Sequence, residues 1–260
     1  MALVTGGGQG IGRAVAVGLA AAGWDIAFSY RGNRREAGCT SAAVRARGRR
    51  ALAVRADVTR PAQVRRLFAT VRRALGAPRV LVNNVGEYTE GAIASISPEE
   101  WRAIFDSNLH ATFLCCREAL AGMRRAGGGR IINITASVAE TQAPAPGAAA
   151  YHVAKQAVLA FTRALAAEEG AGGITVNAVG PGLTDNAHLG ATWERTMRSL
   201  TPAKRLVRPE EVARCVVFLA DEASRSINGA QLSVGGGWIL TGGPHPDASL
   251  MGVLGKRRRS

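Results

Sequence analysis

The stretch "ALVTGGGQGIG", residues 2–12, decides how the rest of the chain is read. Ala2–Val4 form a short apolar run, Thr5–Gly10 a glycine-rich turn, and from Ile11 the apolar positions take helical spacing. A strand that enters a helix through glycines has a physical use. Glycine tolerates positive φ and lets the backbone approach a ligand closely. The helix N-terminus beyond it offers unpaired N–H groups and a partial positive charge to an anion.

The same unit recurs outward from this turn. Short apolar runs at 25–30, 51–56, 79–84, 130–135, 174–179 and 231–234 read as strands. Segments at 11–22, 34–47, 61–75, 100–125, 151–168 and 209–220 carry helical spacing. Strand–helix alternation predicts an α/β fold, a doubly wound parallel sheet of about seven strands with helices on both faces. "SPEE" (97–100) predicts a helix start, with Ser97 as N-cap and Pro98 at the first helical position; "TRP" (59–61) is a looser one. The 260 residues fit one large domain, placed at 1–242 with a substrate loop at 184–205, followed by a basic, disordered tail at 243–260.

Hydrophobic residues make up 47% of the chain and charged residues 20%, which excludes a disordered class. No apolar run reaches the roughly 18 residues needed to span a bilayer. No basic segment precedes the first strand, so a cytoplasmic location is expected. The net charge of +14 gathers at 45–50 and 256–259. It reads as solvated arginine-rich faces or as a surface for an acidic partner. With 5% aromatic residues and no zinc-finger spacing, nucleic acid is not the expected partner. Cys39, Cys115, Cys116 and Cys215 show no metal or redox spacing and read as small buried or semi-buried residues.

Tyr151 and Lys155 in "YHVAK" lie one helical turn apart, on one face. Reducing a ketone needs a proton for its oxygen, and a phenol near pKa 10 must be shifted by about 4 kcal/mol to work near neutrality. An ammonium at about 4 Å, in an effective dielectric near 20, supplies roughly that. The pair therefore reads as an acid and its electrostatic tuner.

The glycine pattern Thr5-Gly6-x-x-Gln9-Gly10-Ile11-Gly12, "NNVG" (83–86), "SNLHATF" (107–113), "YHVAK" (151–155) and "NAVGPG" (177–182) occur in this order. Together they resemble the short-chain dehydrogenase/reductase family, most closely its 3-oxoacyl-[acyl-carrier-protein] reductase type. The resemblance implies a single-domain Rossmann fold. It implies catalytic roles for Asn108, Ser137, Tyr151 and Lys155, with Lys155 also holding the nicotinamide ribose. Ser137 stands one residue from the family's usual position, which Val138 occupies here, and Thr135 is an alternative hydroxyl. Asp57 and Val58 would flank the adenine. Asn83, Val85 and Gly86 would line the ribose side, and Pro181, Gly182 and Thr184 the nicotinamide. Arg130 matches an arginine with which carrier-protein reductases dock their partner, whereas Gly172 replaces a second one. Dimers or tetramers are implied, and "VLAFTRALA" (158–166) offers apolar positions for a homotetramer interface.

The second strand ends "FSYRGNRR" (28–35) without the acid that accepts a ribose 2′-OH in NAD sites. Tyr30 and Arg31 stand at that ribose, and a guanidinium can hold a 2′-phosphate. The expected cofactor is NADP(H). The expected function is reduction of a ketone or acyl-thioester carbonyl, or oxidation of the corresponding alcohol. A non-catalytic dinucleotide-binding scaffold is the alternative, and it would have no use for the tyrosine.

Overall fold

The computed structural model describes residues 1–141, 146–185 and 191–238. Its strands are β1 (Ala2–Val4), β2 (Ile26–Tyr30), β3 (Ala51–Arg55), β4 (Val80–Asn83), β5 (Gly129–Ile134), β6 (Ile174–Pro181) and β7 (Gln231–Val234). All pair in parallel, in the order β3-β2-β1-β4-β5-β6-β7. The helices are α1 (Gly10–Ala21), α2 (Arg34–Arg45), α3 (Pro61–Leu75), α4 (Pro98–Phe105), α5 (Ala111–Arg125), α6 (Ala149–Glu169), α7 (Ala191–Leu200) and α8 (Pro209–Ala220).

Alternation along the strands divides the apolar side chains between two cores. Val4, Phe28, Val82 and Ile132 pack with Val15 and Leu19 of α1 and Val212 and Val216 of α8. Leu3, Ala27, Leu81 and Ile131 face the other way, onto Leu67 and Phe68 of α3 and Leu114 and Met123 of α5. Each fully buried Leu, Ile or Phe contributes about 1.5–3 kcal/mol. Because both sheet faces are covered, the strands read as continuous apolar runs in the sequence. The chain winds out from β1 to β3, then returns to lay β4 beside β1. That reversal opens a crevice at the carboxyl ends of the strands.

Three elements differ from expectation. The single helix expected over 100–125 is interrupted by a π turn at Asp106–His110, which separates α4 from α5. Ser107 Oγ and Asn108 Nδ2 both donate to the Ile104 carbonyl, at 3.2 and 2.9 Å, in competition with the backbone ladder. A helix, α7, lies inside the segment read as the substrate loop. Thr59 does not cap α3. Its hydroxyl donates to Asp57 Oδ1 at 2.7 Å, and Arg60 is the N-cap residue. The Ser97 start holds, with a reciprocal capping box to Glu100. Cys39 is exposed, contrary to expectation, while Cys115 and Cys116 are buried. The tail at 243–260 falls outside the described residues. Among those described, no helix is long and apolar enough to cross a membrane.

Candidate active site

The glycine turn is built by its neighbours. Gly6 adopts φ +65°, a conformation that favours glycine. Its N–H donates to Ser29 Oγ at 3.1 Å, and the Gly7 N–H donates to the Ser29 carbonyl at 3.0 Å. A Cβ on Gly12 would fall 2.2 Å from the Gly6 carbonyl oxygen, so α1 closes on the turn only because position 12 is bare. Thr5 is buried, and its hydroxyl accepts from the backbone of Asn84 (2.9 Å) and Val85 (3.2 Å). Asn84 Nδ2 donates back to the Thr5 carbonyl at 3.1 Å. The turns after β1 and β4 are thereby locked together.

Beside this lock lies a cavity of about 350 Å³ at the carboxyl ends of β1 to β4. Of the residues expected to hold a cofactor, Gly6, Gln9, Tyr30, Arg31, Asp57, Val58, Val85 and Gly86 line it. Thr5, Gly10, Ile11, Gly12 and Asn83 are absent from that lining. Thr5 and Gly12 shape the cavity from behind. Asn83 is buried and turned inward, with Nδ2 donating to Asn133 Oδ1 at 2.9 Å and Cys116 Sγ at 3.2 Å, so its side chain braces β4 against β5. Burial raises the Asp57 carboxyl, but the Thr59 hydroxyl and N–H bonds together with the Arg31 and Arg60 charges leave it below its ordinary value. At the end of β6, the Gly182 N–H donates to Val234 at 2.9 Å, and the Thr184 hydroxyl folds back onto the Gly182 carbonyl at 3.1 Å. Pro181 is the last residue of β6.

Two of the catalytic candidates, Asn108 and Lys155, converge on Gly86. A Cβ there would stand 2.3 Å from Asn108 Oδ1 and 2.9 Å from Lys155 Nζ, so both polar atoms border the same space. The π turn delivers Asn108, whose Nδ2 donates to the carbonyls of Glu87 and Ile104, both at 2.9 Å. Its Oδ1 is buried without a hydrogen-bond partner among the described residues. Lys155 is buried, and its Nζ donates to the Ile134 carbonyl at 2.8 Å. Ser137 opens the short helical turn after β5 and sits behind Gly235, where a Cβ would lie 3.4 Å from its Oγ. Thr135 is committed elsewhere, its hydroxyl donating to Gln231 Oε1 at 2.6 Å.

The electrostatics correct one expectation. Burial pushes the Tyr151 phenol up to about 12 and the Lys155 ammonium down to about 8. Lys155 Nζ lies 5.6 Å from the Tyr151 ring centroid. Desolvation of both buried members, rather than the attraction between them, sets the direction of each shift.

The chain matches the family model described as enoyl-(acyl carrier protein) reductase over residues 6–239. It is 37% identical to a 3-oxoacyl-[acyl-carrier-protein] reductase of Synechocystis, covering 92% of this chain and 97% of that protein. It is 38% identical to an acetoacetyl-CoA reductase of Shinella zoogloeoides, covering 91% and 97%. Among solved structures it resembles a blue fluorescent protein from a metagenomic library in complex with NADPH, with TM-score 0.85 and 38% identity over 91% of this chain and 96% of that one.

The chain belongs to the short-chain dehydrogenase/reductase family. It is an oxidoreductase of that family with the Rossmann-like sheet expected of it. The site fits the family's nicotinamide dinucleotide on its own terms: bare Gly86 lines the glycine-walled cavity, and the orphaned Asn108 Oδ1 lies directly beside it.

In this short-chain dehydrogenase/reductase several participants escaped sequence reasoning. Asn84 and Ser107 lie within recognised motifs and Glu87 directly follows one, and only contacts reveal their roles. Tyr88 packs edge-on against Tyr151, with ring centroids 4.9 Å apart, and no spacing rule links the two. Arg130 is the clearest reassignment. It is 6% exposed and donates to the Gly129 carbonyl at 2.9 Å and to Glu222 at 2.8 Å. It is an internal strut, not a surface anchor for a carrier protein.

Proposed function

We propose that this chain is an NADP-dependent oxidoreductase that reduces a ketone, or oxidises the corresponding secondary alcohol, with Tyr151 as general acid/base. The observation that carries the reading is the convergence of Asn108 Oδ1 and Lys155 Nζ on bare Gly86, next to the Tyr151 face of α6. When bound, the nicotinamide supplies the hydride. The chain's own residues handle the proton and the orientation. The Tyr151 hydroxyl donates to the carbonyl oxygen as negative charge develops there, and the Ser137 hydroxyl donates a second hydrogen bond to it. A phenol at about 12 keeps its proton through neutral pH, and an alkoxide is basic enough to take it. Lys155 would hold the cofactor ribose through its buried Nζ, and Asn108 would anchor a water relay through its unpaired Oδ1. The names of the Synechocystis and Shinella relatives favour 3-oxoacyl thioesters as the substrate class to try first. A non-catalytic dinucleotide-binding scaffold would have no use for the Tyr151 phenol.

The test is NADPH oxidation against a panel of acyl thioesters, quinones, sugars and small ketones, run with the native enzyme and with Tyr151→Phe. The variant is expected to lose at least about a hundredfold in turnover, the low end for removing a general acid. Its affinity for NADPH, followed by fluorescence, should be retained. Native-like turnover of the variant would sink the mechanism.

A further inference from the structure

Arg31 and Glu87 face each other across the cofactor cleft. Arg31 follows β2, and Glu87 lies in the loop after β4. These strands flank β1 on either side, so neighbouring-strand spacing sets the two walls about 10 Å apart. Both residues line the same cavity as Gly6 and Gln9, and Arg31 Nη1 donates to Glu87 Oε1 at 2.8 Å. The ion pair therefore crosses the cavity that the glycine turn walls. Its backbone anchors are firm. The Glu87 N–H donates to Ser107 Oγ at 3.2 Å, its carbonyl accepts from Asn108 Nδ2, and the Arg31 carbonyl accepts from Arg55 Nε at 3.1 Å. The side chains are not firmly held: 70% of Arg31 and 47% of Glu87 is exposed, so the pair is weak and exchangeable.

We infer that Glu87 is a cofactor-selectivity residue: it occupies Arg31 as an internal anion, and the 2′-phosphate of the cofactor must displace it. This rests on the NADP reading above. A phosphate offers the guanidinium two parallel charge-assisted bonds, enough to replace a solvent-exposed carboxylate. A ribose 2′-hydroxyl cannot make that exchange. Glu87 therefore weakens the preference for the phosphorylated cofactor that Arg31 creates.

The test is calorimetric titration of the full-length protein with adenosine 2′,5′-bisphosphate and with 5′-AMP, which needs no turnover. The native protein is expected to bind the bisphosphate more tightly. In Glu87→Gln the affinity ratio of bisphosphate to AMP should rise about two- to fivefold, the range of an exposed ion pair. Glu87→Asp, which keeps the charge but shortens the reach, should raise it by less, and it serves if the glutamine variant misfolds. In an Arg31→Ala background, Glu87→Gln should leave the ratio unmoved. A native preference that Glu87→Gln does not alter overturns the inference and spares the NADP reading. So does an equal gain with and without Arg31, which would mean general repulsion. No discrimination in any variant overturns both.

Discussion

At Lys155 two demands meet. The ammonium must sit inside the protein to border the Gly86 space, and burial there pushes its pKa down to about 8. Tyr151 is pushed the other way, to about 12, so its proton is secure over the range in which the lysine titrates. Reduction should therefore fade as pH rises through about 8, when Lys155 loses its charge. A kcat/KM profile between about pH 6 and pH 10 checks this. In Lys155→Arg, whose guanidinium stays charged, that alkaline limb should vanish even if the plateau drops. A limb unmoved by the substitution would assign it to another group. The two hydroxyls near β5 separate in the same spirit. Ser137→Ala should cut turnover strongly and leave Tm unchanged. Thr135→Ala should act on stability by about 1 kcal/mol, because it breaks the bond to Gln231. Reversed outcomes, read by turnover and thermal melts, would make Thr135 the substrate-facing residue.

Among the elements, the joint between the substrate segment and α8 is held by one carboxylate. Glu211, in the first turn of α8, accepts from Arg205 Nη1 at 2.7 Å and Nη2 at 2.8 Å, and from the Arg208 N–H at 2.8 Å. The Arg205 bonds first, and then the Arg208 N–H, hold its carboxyl near 2 against an ordinary 4.5. Unfolded, it binds its proton at the higher value. Its stabilisation is therefore complete above about pH 4.5 and is lost as pH falls towards 2. Glu211→Gln should lower Tm near neutral pH, and the gap from the native protein should close in acid. A constant gap across that window, by calorimetry, would show that the carboxylate charge contributes nothing. Helix boundaries were legible at this scale where a local rule fixed them, as Ser97, Pro98 and Glu100 did for α4. The π turn was not legible, because the competing Ser107 and Asn108 side-chain bonds to the Ile104 carbonyl leave no mark on the apolar periodicity of 100–125.

On the scale of the whole molecule, the described surface bears exposed apolar side chains on the α4–α6 flank. Trp101, Phe113 and Val153 are 37%, 38% and 43% exposed, and Phe113 meets Phe161 edge-on at 6.4 Å. The stretch expected to serve as an interface, 158–166, shares Phe161 with this flank and turns its other large apolar residues inward. Val158, Leu159 and Leu165 are buried within the subunit. Ala160 and Ala164 are exposed and Phe161 is half-buried, so the outer positions of that stretch remain available to an interface. If the chain assembles as a homotetramer, the exposed flank is the face to bury. Light scattering at micromolar concentration should then report four subunits, and Phe113→Glu should yield a smaller species. A monomeric native protein would refute the assembly.

The sequence by itself determined the βα alternation, the glycine turn at Gly6–Gly12 and the shared face of Tyr151 and Lys155. Each follows from local sterics or from helical and strand periodicity, which need no knowledge of distant residues. The tertiary structure alone decided which side chains face the cleft. Asn83 and Arg130 sit in recognisable motifs, yet sheet packing turns both inward, whereas Glu87 gains its place only because β4 returns to lie beside β1. It also decided the direction in which Tyr151 and Lys155 titrate. Desolvation depends on everything packed around a group, and four residues of spacing along a helix carry no record of it.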